Sequence, residues 1–241
     1  MKNPLVRLGL SALDVLFPPQ CAGCGKHGSF LCPACESGLP HLVHPYCEAC
    51  AQPVPTGSPG LCGLCAARPL AVDGIRAPFL MEGTVREAIH SLKYRNLKAA
   101  APILGQLLAR YMESATVPGA ILVPVPLHKI RLRDRGYNQS ELLAKEVGKR
   151  MCLPVMDALI IRTRNTPPQV SLSLEERMRN VEGSFACVGN AQGQRFIVVD
   201  DVVTTGSTVS ACAAVLKAEG AESVWGLALA RQGIGPPDES L

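Results

Sequence analysis

Residues 195–208 read Arg-Phe-Ile-Val-Val-Asp-Asp-Val-Val-Thr-Thr-Gly-Ser-Thr and hold the densest chemistry in the chain. An apolar run suited to a buried strand, Arg195–Val199, ends in adjacent acids, Asp200 and Asp201. Two valines follow, then a hydroxyl-rich turn that opens a helix over Thr208–Glu219. Loop amides at a helix N-terminus attract a phosphate dianion. Gly206 lets backbone approach such a group closely, and Thr204, Thr205, Ser207 and Thr208 add hydroxyl donors. Two carboxylates can grip vicinal sugar hydroxyls as acceptors, so the string suits a sugar phosphate. It lacks the lysine of an ordinary P-loop and the three spaced glycines of a dinucleotide fingerprint.

A second chemistry lies upstream. Of the eleven cysteines, eight form Cys-x-x-Cys pairs within the first 65 residues: Cys21/Cys24, Cys32/Cys35, Cys47/Cys50 and Cys62/Cys65. Tetrahedral Zn²⁺ takes four thiolates, so two pairs serve one ion and four serve two. With no ligand position left for water, both ions would be structural. Disulfides or a redox pair are the competing reading, but the strand-to-helix setting of a redox Cys-x-x-Cys is missing. Sequential pairing gives two compact ribbons, and crossed pairing stays open. Cys152, Cys187 and Cys212 are scattered, as buried inert thiols are.

The elements that must position these groups follow from periodicity. Pro18-Pro19 ends an apolar-faced helix carrying Leu5, Leu8, Ala12 and Leu16. That helix docks on the chain's own body or, alternatively, on a membrane surface or partner. From there to Arg68, a Gly- and Pro-rich segment has too little apolar pattern to fold without a metal or disulfides. Glu82–Arg95 and Lys98–Glu113 carry helical periodicity, and Ala120–Val125 reads as a strand. Asn138 with Glu141 signals a capped helix over Gln139–Arg150, and Ser173 with Glu176 repeats the signal. Gly220 closes the helix after the acid-containing loop, and Val224–Ala230 is a third strand. Alternating strands and helices predict an α/β domain with an open, mainly parallel sheet. Sites in such sheets lie at the carboxyl ends of strands, where Asp200 and Asp201 fall.

After the first of those strands comes Val123-Pro124-Val125-Pro126-Leu127, then Lys129, Arg131, Arg133 and Arg135 at a spacing of two. The basic run reads either as a solvated loop or as a contact for pyrophosphate or nucleic-acid phosphate. Arg162–Gln169 and Arg177–Asn180 flank Pro-rich chain that suits either a lid or a rigid surface loop. Ile197–Thr208 resembles the 5-phosphoribosyl-1-pyrophosphate (PRPP) motif of type I phosphoribosyltransferases. With the Pro-Pro-x-Cys start, the paired cysteines, Leu92–Arg95 (Leu-Lys-Tyr-Arg), Val123–Gln139 and Arg162–Asn180, the chain is similar to the ComF family over nearly its whole length. That resemblance implies a type I phosphoribosyltransferase-like sheet with flanking helices behind a double zinc ribbon. It also implies a link to natural competence and DNA utilisation. Asp200 and Asp201, with catalytic roles, and Thr204–Thr208 would bind PRPP with Mg²⁺, and Val123–Leu127 would occupy the pyrophosphate-loop position. A non-catalytic module binding PRPP, a nucleotide or single-stranded DNA, alone or with a DNA-processing protein, is the alternative.

The expected organisation is a helix over 1–17, ribbons over 18–68, the phosphoribosyltransferase-type domain over 69–231 and a tail over 232–241. Two four-thiolate zinc sites at net −2 each would cancel the formal charge of +4, so global charge is no argument for nucleic acid. Aromatics at 4% argue against a base-stacking platform. No export signal or membrane span is read, which places the protein in the cytoplasm, where paired cysteines are more often metal ligands than disulfides. Nothing in the sequence bears on oligomeric state.

Overall fold

The computed structural model describes residues 19–58, 60–94, 98–114, 120–164, 181 and 183–233. The helix expected around Leu5–Leu16, the Ser173/Glu176 cap, Arg95, Arg177–Asn180 and residues 234–241 lie outside them. Among the described residues no helix is long and apolar enough to cross a membrane.

The centre is a parallel sheet. In chain order the elements are α1 (Pro33–Ser37), α2 (Gly63–Ala67), β1 (Gly74–Arg76), β2 (Phe79–Leu80), α3 (Gly83–Tyr94), a 3₁₀ turn (Lys98–Ala100) and α4 (Ala101–Met112). There follow β3 (Ala120–Pro124), α5 (Lys129–Arg135), α6 (Gln139–Met151), β4 (Ile160–Arg162), β5 (Phe185–Cys187), β6 (Arg195–Val203), α7 (Ser207–Ala218) and β7 (Ser223–Arg231). The strand order is β1–β7–β6–β3, with β2 also on β7 and every pair in this sheet parallel. β4 and β5 form a separate antiparallel pair.

Parallel strands are covered on both faces, so alternate residues of one strand enter different cores. Along β6, Ile197 and Val199 join Leu104, Leu108, Leu143 and Val147 of α4 and α6. Phe196 and Val198 join Val209, Cys212 and Leu216 of α7 on the other side. Among the described residues the expected strands and helices are present, with one shift: β6 continues past Val199, and Asp200 still pairs with Ala228. β3 stops first, its last pairing being Pro124 with Val199. The crevice beside Asp200 opens where β3 leaves the sheet and β6 runs on.

The cysteine-rich segment is built into this body. Phe30, Leu31 and Leu39 are buried in the same core as α3 and α4, and Glu36 pairs with Arg110 of α4. Leu42 N donates to Pro78 O and Leu80 N to Pro40 O, both at 2.8 Å, while Ile75 N donates to Ala49 O at 3.0 Å. These bonds cover the β1/β2 edge, which would otherwise present unpaired backbone groups.

Candidate functional site

At the end of β6 the acids occupy different settings. Asp201 is buried and its Oδ1 lies 2.8 Å from Lys93 Nζ of α3. Its Oδ2 is buried without a hydrogen-bond partner. Asp200 is half-buried; its Oδ1 accepts from Ser140 Oγ and from Asp201 N, each at 2.9 Å. Loss of hydration and the adjacent Asp201 push Asp200 up to about 7, against the pull of Lys93 and the Ser140 hydrogen bond.

The chain then turns through Thr204, Thr205 and Gly206 into α7. Gly206 has φ +82°, and a Cβ there would sit 2.9 Å from Leu70 Cδ1 and 3.1 Å from Ile75 Cδ1. The left-handed backbone conformation therefore demands glycine, and a side chain would also have to displace Leu70. Thr205 Oγ1 accepts from Ser207 N at 3.2 Å and is hydrogen-bonded to Ser207 Oγ, so the turn is set before any ligand arrives. A small concavity lies inside residues 202–209, next to Asp200.

Both acids open onto a larger cavity of about 350 Å³, lined also by Thr204 and Thr208. Its walls are cationic: Arg86, Lys93, Arg131, Arg135 and Arg162 face two carboxylates, Asp200 and Asp201. α3 supplies Arg86, His90 and Lys93 at helical spacing, while its opposite face buries Val85, Ala88, Ile89 and Leu92. Arg162 stacks 5.3 Å over the Phe185 ring, and burial, then the nearby Arg131, lowers its pKa.

The basic run that the sequence offers as an alternating loop is a helix instead. His128 caps α5 by accepting from Ile130 N, and Gly136 ends it in the left-handed region at φ +77°. The helical period divides the four cations. Arg131 and Arg135 line the cavity, whereas Lys129 and Arg133 are exposed and do not. Val125 and Leu127 of the proline-flanked loop line the cavity as well. Asn138 does more than cap α6 through Ser140 N: its Nδ2 donates to Val125 O at 2.9 Å. Gln139 Oε1 accepts from Arg135 Nη1 at 2.6 Å, and Tyr137 Oη donates to Leu92 O beside Lys93. One short segment, Tyr137–Ser140, thus ties the loop after β3, the acids and the α3 wall together.

Away from the cavity, the cysteines gather in the sequential arrangement. Cys21, Cys24, Cys32 and Cys35 form one group and Cys47, Cys50, Cys62 and Cys65 another, all sulfurs of a group lying within 4.8 Å of one another. Cys24 and Cys32 sulfurs are 3.7 Å apart, as are those of Cys50 and Cys62. A Zn–S bond of about 2.3 Å gives a tetrahedron edge of about 3.8 Å, while a disulfide needs about 2.05 Å. The geometry fits two closed, structural four-thiolate zinc sites. Burial opposes ionisation of Cys21 and Cys47, but backbone N–H groups hold them down at about 6 and about 7. Each second pair opens a one-turn helix, α1 after Cys32 and α2 after Cys62.

A double zinc ribbon domain model matches residues 12–66, and a phosphoribosyl transferase domain model matches residues 138–240. The DNA utilization protein YhgH of Escherichia coli O157:H7 is 33% identical over 211 residues, covering 85% of each chain. The chain belongs to the ComF family. Competence protein F of Haemophilus influenzae is 29% identical across 87% of this chain and 90% of its own. Competence protein ComFC of Bacillus subtilis is 28% identical across 79% of both. A hypoxanthine phosphoribosyltransferase from Staphylococcus aureus superposes at 10% identity and a TM-score of 0.36, covering 56% of this chain and 64% of that one, a likeness too loose to carry weight. The two matched domains and the parallel sheet establish a type I phosphoribosyltransferase-like fold with an N-terminal double ribbon in this ComF-family chain.

Contributors to the cavity that are not singled out by sequence include Arg86 and His90 of α3, and Ser140 on Asp200. Arg86, His90 and Lys93 have the spacing of a solvated helix face, and only the site beyond that face distinguishes them.

Proposed function

We propose that this ComF-family chain binds PRPP with Mg²⁺ in the cavity at the end of β6 and transfers its phosphoribosyl group to an acceptor. The 5′-phosphate sits on the amides and hydroxyls of Thr204, Thr205, Gly206, Ser207 and Thr208. Asp200 and Asp201 accept hydrogen bonds from the ribose hydroxyls. The diphosphate lies toward Val123–Leu127 and the cationic wall. The observation that carries this reading is the meeting of the acids, the hydroxyl-rich turn and five Lys/Arg side chains around one cavity. The excess of positive charge has the sign that a phosphate-rich ligand requires.

Asp201's unpartnered buried oxygen fits a hydroxyl donor or a hard cation, so Asp201 is the group that would meet magnesium. The cation supplies charge neutralisation on the diphosphate. In the transfer, the C1–O bond to the diphosphate breaks, pyrophosphate departs with that electron pair, and a nitrogen nucleophile bonds to C1 and loses a proton. Arg131, Arg135 and Arg162 stabilise charge on the leaving group, and the carboxylates hold the ribose while C1 becomes electron-poor. Lys93 positions Asp201, and Ser140 positions Asp200.

Incubating the zinc-loaded protein with PRPP, Mg²⁺ and a panel of nitrogenous bases tests the transfer. Pyrophosphate release with at least one acceptor is expected; its absence with all of them argues for binding without turnover. The outward face of α5 favours a second reading. Exposed Lys129 and Arg133 point away from the cavity, as a contact for single-stranded DNA would. The names of two relatives, a DNA utilization protein and a competence protein, support such a role. Loss of salt-dependent DNA binding in a Lys129→Ala/Arg133→Ala variant is expected on this reading, and unchanged affinity opposes it.

A further inference from the structure

Arg231, the last residue of β7, is fully buried and belongs to neither the cysteine clusters nor the cavity lining. Its Nη1 donates to Val203 O at 3.0 Å and to Gln232 O at 2.9 Å, and its Nη2 lies 3.7 Å from Cys50 Sγ. Val203 is the residue immediately before Thr204. One rigid guanidinium therefore touches a ligand of the second cysteine group and the backbone at the root of the phosphate-loop turn. Gln232 N donates to Val203 O at 2.9 Å and Met81 N to Arg231 O at 2.9 Å, so the surrounding backbone is fixed.

A buried arginine needs a counter-charge. The partners of this one are the Val203 and Gln232 carbonyls and Cys50 Sγ of the second cysteine group. A zinc ion held by four thiolates leaves the group at net −2, which matches a cation bonded to one sulfur. Without the ion, the same guanidinium is a buried charge with weak partners.

We propose that Arg231 couples metal occupancy of the second cysteine group to the set of the 204–208 turn, so that zinc at Cys47, Cys50, Cys62 and Cys65 strengthens phosphoribosyl-ligand binding. Arg231 is a positioning residue in this scheme; it does not line the cavity. Coupling is reciprocal, so ligand at the turn raises the affinity of that group for zinc by the same factor. The affinity part rests on the proposed function; the link between metal and turn does not.

Hydrogen exchange on the zinc-loaded full chain tests it, comparing wild type, Arg231→Lys and Cys62→Ser. Lysine keeps the charge but loses the fork, and serine weakens the second metal site with Arg231 in place. Exchange of the Thr204–Ser207 amides is expected to accelerate at least about fivefold in both variants, the lower end of ordinary coupling. Amides of the α4 core, Leu104–Leu108, should hold their wild-type rates. A chelator should strip the second zinc faster from Arg231→Lys, and the PRPP Kd should rise by a similar factor. Wild-type exchange at the turn in both variants, or equal loosening of turn and core, overturns the proposal. If Arg231→Lys does not fold, Cys62→Ser decides alone. If wild type binds no PRPP while the turn still responds to zinc, the functional reading fails and the coupling stands.

Discussion

Replacing Asp200 by asparagine should make the protein more stable while weakening its ligand binding. Asp200 is raised from an ordinary 3.8 to about 7 by burial and by Asp201. At 1.36 kcal/mol per unit, holding it ionised costs the fold about 4 kcal/mol at full effect. Because the folded-state value is the higher one, the penalty is absent below the unfolded value. It grows from about pH 4 and is complete above about pH 7. Asparagine keeps an acceptor oxygen for Ser140 Oγ and Asp201 N, so no native hydrogen bond need be lost. A chain of this length gains roughly 2–4 °C in Tm per kcal/mol. Thermal melts of wild type and Asp200→Asn, with zinc and reductant, should therefore differ by on the order of 10 °C at pH 8 and by less than half of that at pH 5. The variant should also bind PRPP more weakly, since an amide nitrogen replaces an acceptor at the ribose. A variant that is less stable at pH 8, or a difference independent of pH, would refute the reasoning.

Gly206→Ala should cost about 1–3 kcal/mol and impair ligand binding, because of its positive φ and the 2.9 Å approach to Leu70; urea unfolding and PRPP titration measure both. Metal analysis should find two zinc ions per chain, and chelation should lower the melting temperature, since Phe30, Leu31 and Leu39 carry the ribbons into the main core. Arg131→Ala/Arg135→Ala should raise the PRPP Kd at least about tenfold, at roughly 1.4 kcal/mol or more for two charge-assisted contacts. Lys129→Ala/Arg133→Ala should leave it within about twofold, a contrast that checks the division of the basic run by helix α5.

The sequence shows the site's centre because that centre is contiguous. Asp200 through Thr208 are neighbours in the chain, and the apolar run, paired acids and hydroxyl-rich turn each carry a local physical signal. The cysteines are legible for the same reason, since ligand spacing is a short-range property. The walls are not local. Arg86, His90 and Lys93 sit more than a hundred residues before the acids, on a pattern that every amphipathic helix displays. β1 and β2, at three and two residues, are too short for periodicity to register. β6 reads as ending at Val199 because acids usually leave a sheet; here the pairing with Ala228 holds Asp200 in it. The helix α5 had its signal in Gly136, a glycine placed where a helix ends, but alternating charge obscured it. Arg231 resembles any basic residue closing a strand, and only the fold shows it reaching Cys50.

Calorimetric titration of the zinc-loaded protein with PRPP and Mg²⁺, repeated on Asp200→Asn/Asp201→Asn, tests the central claim most directly. Saturable binding by wild type at one site per chain, abolished in the double variant, is the predicted result. No binding by wild type, or equal affinity in the double variant, would contradict the assignment of this cavity.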